Sequence, residues 1–359
     1  MSRQVSTPTP ARLADRAKPE AWRSDRRVGS TGPNHVQSQP LPGGGNNSLG
    51  AMADDTARRP PEFPPLWAVA WGDDRFGLWA ELAVKTVIQR MRWIEPGEFW
   101  MGSDKAEREL LRDETWERYA EREAPRHRVL LTQGSWLADT ACTQAMWLAV
   151  LDGEKNPSHF SDDPELPVEG VSFDEVERFL HRLNVEFAEG CNADLPTEAQ
   201  WEYACRAGTE KAFAFGDTIT PQQVNYNGNY PYGAAAKGPY RECTLPVKAL
   251  PANRWGLYQM HGNVWEWCDD YGRDYGRNDA ETVVVDGFVL DPAGQRGSGP
   301  EAHRAVRGGS WINHAGHVRS AYRNDARRGD RNDGLGFRFA LRSKSPGPAE
   351  PAGPAGLQV

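Results

Sequence analysis

From Gly208 onward the apolar residues come in short pieces broken by Gly, Asn and Pro, and this feature constrains the fold most. Backbone amides buried without partners are costly, so a long half of the chain with little regular structure needs something besides strand ladders to fix its loops. Bound cations or dense side-chain hydrogen bonding are the two solutions. The 36 Gly, 27 Pro and 14 Trp point the same way, toward turn-rich architecture rather than a helical bundle. With 359 residues, 38% of them hydrophobic, the chain can build one large domain or two small ones.

Three helices are signalled ahead of Gly208. Thr143 is placed to cap the first, which carries Met146, Trp147, Val150 and Leu151 on one face. Ser172 and Glu175 form a capping box for the second, with Val176, Phe179, Leu180 and Leu183 at amphipathic spacing. Thr197 and Gln200 repeat the box for the third, which carries Trp201, Ala204 and Cys205 inward and stops at Gly208. Residues 1–60 and 343–359 are rich in Ser, Pro, Gly and Arg or in Pro, Ala and Gly, with little to bury, and are expected to be disordered tails. A Trp-rich segment, 61–89, is expected to form short strands joined at Gly72-Asp73-Asp74 that cap a main domain at 90–342.

Residues 1–60 carry 9 Lys+Arg and 5 Asp+Glu, so this head is +4 and the rest of the −8 chain is −12. An acidic body offers no electrostatic footprint for nucleic acid. No apolar run approaches the ~20 residues that span a bilayer, so no membrane partner is expected. Cys142, Cys191, Cys205, Cys243 and Cys268 contain no CxxC pair, and their odd number argues against a fully paired disulfide framework. Reduced, mostly buried thiols and the lack of a hydrophobic leader make a cytoplasmic protein the expectation.

Six blocks then occur in order: Met91–Ser103 (MRWIEPGEFWMGS), Pro167–Ser172 (PVEGVS), Leu195–Ala204 (LPTEAQWEYA), Trp255–Trp267 (WGLYQMHGNVWEW), Arg307–Trp311 (RGGSW), and Arg319–Arg323 (RSAYR) with Gly336–Arg338 (GFR). Together they resemble the formylglycine-generating enzyme, or sulfatase-modifying factor, family. The resemblance implies an α+β fold: an irregular, loop-rich domain with a C-type-lectin-like core.

The resemblance also implies chemistry that can be checked residue by residue. A structural calcium site maps onto the side chains of Gln259 and Glu266 and the carbonyls of Gly262 and Val264; oxygens of this kind suit a hard cation. A second, weaker site begins at Asn225 and Tyr226, but residues 236–241 (AKGPYR) supply no carboxylate to complete it. The family's copper is held by two thiolates shortly after the GGS block, a donor set suited to Cu(I). Those positions are Asn313 and Val318 here, so no copper and no formylglycine-generating oxidation by that route is expected. The alternative is an oxidase or oxygenase of the same family with a metal centre not built from cysteine, for instance one involving His314 and His317.

Binding is the leading expectation. Residues 307–342 form a polar loop series bracketed by family motifs, and resemble the ligand-binding region of variable proteins diversified by retroelements. Asn313, His314, His317, Tyr322, Asn324, Asp325, Arg328, Asn332 and Asp333 are the candidate contacts for a protein or small-molecule ligand, with Tyr322 offering a large, rigid surface. Arg319, Arg323 and Arg338 fall in the shared frame and are read instead as buried ion pairs with the acidic body.

Overall fold

The structure, a computed structural model, describes residues 58–110, 120–187, 190–271, 283–286 and 302–343. The expected disordered tails lie almost wholly outside these residues.

The Trp-rich segment does form strands. β1 (Ala68–Asp74) and β2 (Gly77–Val84) make an antiparallel hairpin. Its turn sits at 74–77 rather than at Gly72-Asp73-Asp74: Asp74 Oδ1 accepts the Phe76 amide at 2.8 Å, and Gly77 takes φ +96, a conformation that suits glycine. Gly72 has a different task, since a Cβ there would lie 2.8 Å from the Trp79 ring. β2 pairs with β3 (Val87–Ile94), which runs across residue 90 and pairs with β6 (Ser135–Ala138). The segment is thus the outer edge of a six-stranded sheet ordered β1-β2-β3-β6-β13-β7, with β13 at Ala340–Ser343 and β7 at Cys191–Asp194.

Two smaller sheets complete the described strands. One is ordered β11-β10-β8-β12, from Arg323–Arg327, His303–Arg307, Trp265–Tyr271 and Leu335–Phe337. The other is ordered β4-β5-β9, from Gly97–Met101, His127–Leu131 and Val283–Val285.

The signalled helices form where the caps place them, after a short α1 (Lys105–Glu109). α2 (Gln144–Val150) starts at Thr143, whose hydroxyl accepts the Met146 amide at 3.1 Å. α3 (Phe173–Glu186) carries the Ser172–Glu175 box in both directions, at 2.9 and 3.3 Å. α4 (Glu198–Arg206) carries the Thr197–Gln200 box at 3.0 and 3.2 Å. Its left-handed cap falls on Ala207 (φ 47), one residue before the expected Gly208.

The main core joins these elements through aromatic rings. Trp147 of α2 lies parallel to Phe179 of α3 at 5.4 Å, Phe179 meets Phe337 of β12 at 5.2 Å, and Phe173 meets Trp267 of β8 at 5.7 Å. Fully burying each such side chain contributes about 1.5–3 kcal/mol. Between Gly208 and Val264 there are no strands, and asparagine side chains take over. Asn253 donates to the Ala204 and Cys205 carbonyls and accepts the Trp255 and Leu257 amides. Asn263 accepts from Asn225 Nδ2 and the Leu245 amide and donates to the Leu245 carbonyl and Gln259 Oε1. Side-chain hydrogen bonding thus supplies part of what ties these loops together.

Candidate functional site

The loop after β10 is forced into a tight return. Gly309 takes φ +70, and a Cβ there would lie 2.5 Å from Val318 Cγ1, so only glycine lets the two ends of the turn approach. Asn313 closes that return: its Oδ1 accepts the Ser310 amide and hydroxyl at 2.9 and 2.8 Å, and its carbonyl accepts the Asn227 amide. Val318 is fully buried, and its carbonyl accepts His261 Nδ1 at 2.7 Å. The two positions that the resemblance assigns to thiolates thus hold an amide that braces a turn and an aliphatic side chain in the core.

Behind them lies a buried Cys205–His261–Ser320 cluster. His261 Nε2 accepts the Ala214 amide at 3.0 Å, which leaves the proton on Nδ1. Burial pushes His261 down to about 4, against the pull of the Val318 carbonyl. Cys205 Sγ sits 3.7 Å from Ser320 Oγ and 3.7 Å from His261 Nε2, but burial pushes its thiol up to about 12. A neutral imidazole beside a firmly protonated thiol has no nucleophile at neutral pH.

The frame arginines are structural. Arg338 pairs with Glu266 at 2.6 and 2.7 Å, Arg323 with Glu198 at 2.7 Å, and Arg319 with Glu123 at 2.9 Å and Glu107 at 2.6 Å. Arg307 and Arg206 share Glu202, whose carboxyl burial would raise but the two guanidiniums hold below its ordinary range. All five arginines are buried. Arg331 differs: its side chain is 56% exposed and reaches Glu175 only at 3.4 Å.

The candidate ligand contacts separate. Asn313, His314 and His317 come together with Tyr230, which stacks on His314 at 3.9 Å, while the His314 and His317 rings lie near-parallel at 5.8 Å. Burial first, then His314 and Arg319, push His317 down to about 3. Tyr322, expected as a contact surface, is corrected to a core residue: it is 4% exposed, packed on Trp265 and His317. Arg328 is likewise tied down, pairing with Asp174 and Glu177 of α3. Asn324 and Asp325 lie half-buried on β11, where Asp325 accepts Arg122 at 2.8 Å. Asn332 accepts the Gly334 amide, and the Asp333 carbonyl accepts the Trp311 indole at 3.0 Å.

Sequence reasoning missed the apolar part of this face. Tyr230 is 51% and Ile312 50% exposed, and Phe160 and Tyr240 pack on Trp311. The tyrosine-rich run NYNGNYPYGAAAKGPY at 225–240 was its signal.

The calcium ligands can be tested against their contacts. Glu266 is held by Arg338 and by the Trp201 indole at 2.6 Å, and Gln259 Oε1 accepts Asn263 Nδ2. Two of the four groups are thus committed to protein donors, and the carboxylate is already neutralised, so this set does not fit a cation as the resemblance draws it. Gly262 and Val264 are buried in the same turn. Of the second set, Tyr226 is buried and Asn225 donates its amide to Cys243 and Asn263, leaving its buried Oδ1 without a donor. Among the described residues, no three His, Cys, Asp or Glu side chains converge.

A family model described as the sulfatase-modifying factor enzyme 1-like domain matches residues 77–343. The formylglycine-generating enzyme of Streptomyces coelicolor is 33% identical over 51% of this chain and 55% of its own length. A mouse protein named inactive C-alpha-formylglycine-generating enzyme 2 is 34% identical over 42% of this chain and 44% of its own. The chain thus spans about half the length of these curated relatives. Among solved structures, Treponema denticola variable protein 1 covers 74% of this chain and 99% of its own at 23% identity, with a TM-score of 0.57. PvdO from Pseudomonas aeruginosa covers 73% and 97% at 24% identity, with a TM-score of 0.55. These likenesses bear out the irregular α+β fold with its C-type-lectin-like core.

Proposed function

The chain belongs to the sulfatase-modifying factor enzyme 1-like domain family, and we propose that within it this protein is a non-catalytic binding member whose contacts lie on the 307–342 face. The observation that carries this is the pair of positions Asn313 and Val318, an amide bracing a turn and a buried aliphatic where copper-binding thiolates would stand. Cys142, Cys191, Cys205 and Cys268 are buried, and Cys205 is held firmly protonated. A curated relative named inactive gives loss of catalysis a precedent within the family.

The binding face combines a half-buried polar group, His314, with exposed apolar ones, Tyr230 and Ile312. Rigid aromatic anchors beside adaptable polar contacts are what loop-based recognition uses. The buried arginine pairs below supply the rigid scaffold such loops need. Retroelement diversification is the finer form of this reading; a neighbouring reverse-transcriptase gene with a near-repeat of the 307–342 coding segment would establish it.

The alternative, a His314–His317 metal centre, gains no support from the geometry. The rings are stacked near-parallel, and His317 Nδ1 faces Asn313 Nδ2 at 3.5 Å. Competition for Cu(I) against a chromogenic chelator tests the proposal: the protein should take no stoichiometric copper, and one tightly held copper per chain would contradict it.

A further inference from the structure

Next to the loop return, on the same face, lies a cluster of aromatic rings and carboxylates. Phe160 meets Trp311 edge to face at 5.5 Å, and Tyr240 stacks on Trp311 at 6.1 Å. Trp311 is buried and anchored through its indole to the Asp333 carbonyl, so Phe160, Tyr240 and Asp333 stand half-buried around it, with Glu242 exposed beside them. Burial pushes the Tyr240 phenol up, and Glu242 and Asp333 push it the same way, which puts both carboxylates within electrostatic reach of the ring.

A third carboxylate lies beneath. Glu169 is 0% exposed; its Oε1 accepts the Phe160 amide at 2.9 Å, while Oε2 meets no donor of adequate geometry. Burial raises this carboxyl despite the Phe160 and His159 amides, and Asp333 adds to the rise. Of the neighbouring cations, Arg241 donates through one nitrogen to the Pro221 carbonyl and Arg331 lies 3.4 Å from Glu175. Aromatic faces bordered by carboxylates attract cations twice over, through the ring quadrupole and through charge.

We infer that this cluster takes the arginine or lysine side chain of a basic peptide, its charged head over Tyr240 and Phe160 and its charge met by Asp333 and Glu242. The inference rests on reading this region as a binding face. The acidic body of the chain, −12 outside residues 1–60, favours the same class of partner.

The test titrates the full chain with hexa-arginine, hexa-glutamate and a neutral Gly/Ser hexapeptide, read by tryptophan fluorescence and calorimetry. Hexa-arginine alone should bind. Asp333→Asn with Glu242→Gln, and separately Tyr240→Ala, should each weaken it by about fivefold or more. Asp73→Asn with Glu98→Gln removes the same charge from β1 and β4 and should leave binding unchanged. Equal weakening by that control pair, or no hexa-arginine binding, would overturn the inference. A chain that oxidises no peptide yet ignores hexa-arginine would sink this inference while leaving the non-catalytic reading standing.

Discussion

Arg338 holds both carboxylate oxygens of Glu266, at 2.6 and 2.7 Å, with neither side chain exposed by more than about a hundredth of its surface. The pair ties the GFR block to the GNVWEW turn across 72 residues of sequence, and the Trp201 indole adds a bond from α4. Removing one partner would strand the other charge in the core. Arg338→Met should therefore destabilise the fold by about 3–5 kcal/mol. The double variant Arg338→Met, Glu266→Met should recover a large part of that loss in chemical denaturation, and calcium chelation should shift the native Tm less than the single variant does. A chelation effect larger than that of Arg338→Met would restore the cation to this turn.

His261 gives the fold a pH dependence with a defined sign. Its folded pKa of about 4 lies below the ordinary 6.5 because burial disfavours the imidazolium. The unfolded chain therefore binds a proton that the folded chain refuses, and stability falls as pH drops from about 6.5 toward 4. It should level off below that for this group. Thermal melts across this range should show the slope, and His261→Gln should flatten it by close to one proton.

Thiol accessibility follows from burial. Cys142, Cys191, Cys205 and Cys268 are buried, and burial pushes the Cys142, Cys205 and Cys268 thiols up. Cys243 is half-buried. The native protein should give one fast thiol equivalent with a disulfide reagent, and Cys243→Ser should abolish it while the other four react only on unfolding.

Local chemistry was legible in the sequence wherever both partners were close. Thr143, the Ser172–Glu175 box and the Thr197–Gln200 box start their helices as expected, because a cap is decided within one turn. The frame arginines were recognisable as ion-pair residues, but their partners were not. Glu123 lies 196 residues from Arg319 and Glu198 lies 125 from Arg323, and nothing local links them. The same distance hid the fate of Tyr322 and Arg328, polar-looking loop residues that tertiary packing drew into the core and onto α3. Ala207 taking the left-handed cap ahead of Gly208 is a one-residue shift of the kind helix ends commonly show.

Asn313 and Val318 fall at the positions that the family resemblance assigns to copper-binding thiolates, and we propose on that ground that the chain binds rather than oxidises. Oxygen consumption with a cysteine-containing peptide, with copper or iron supplied in turn, tests it most directly. No uptake above the metal-only blank and no aldehyde on the recovered peptide are expected. Multiple turnovers of peptide to aldehyde, lost on removing the metal, would contradict it.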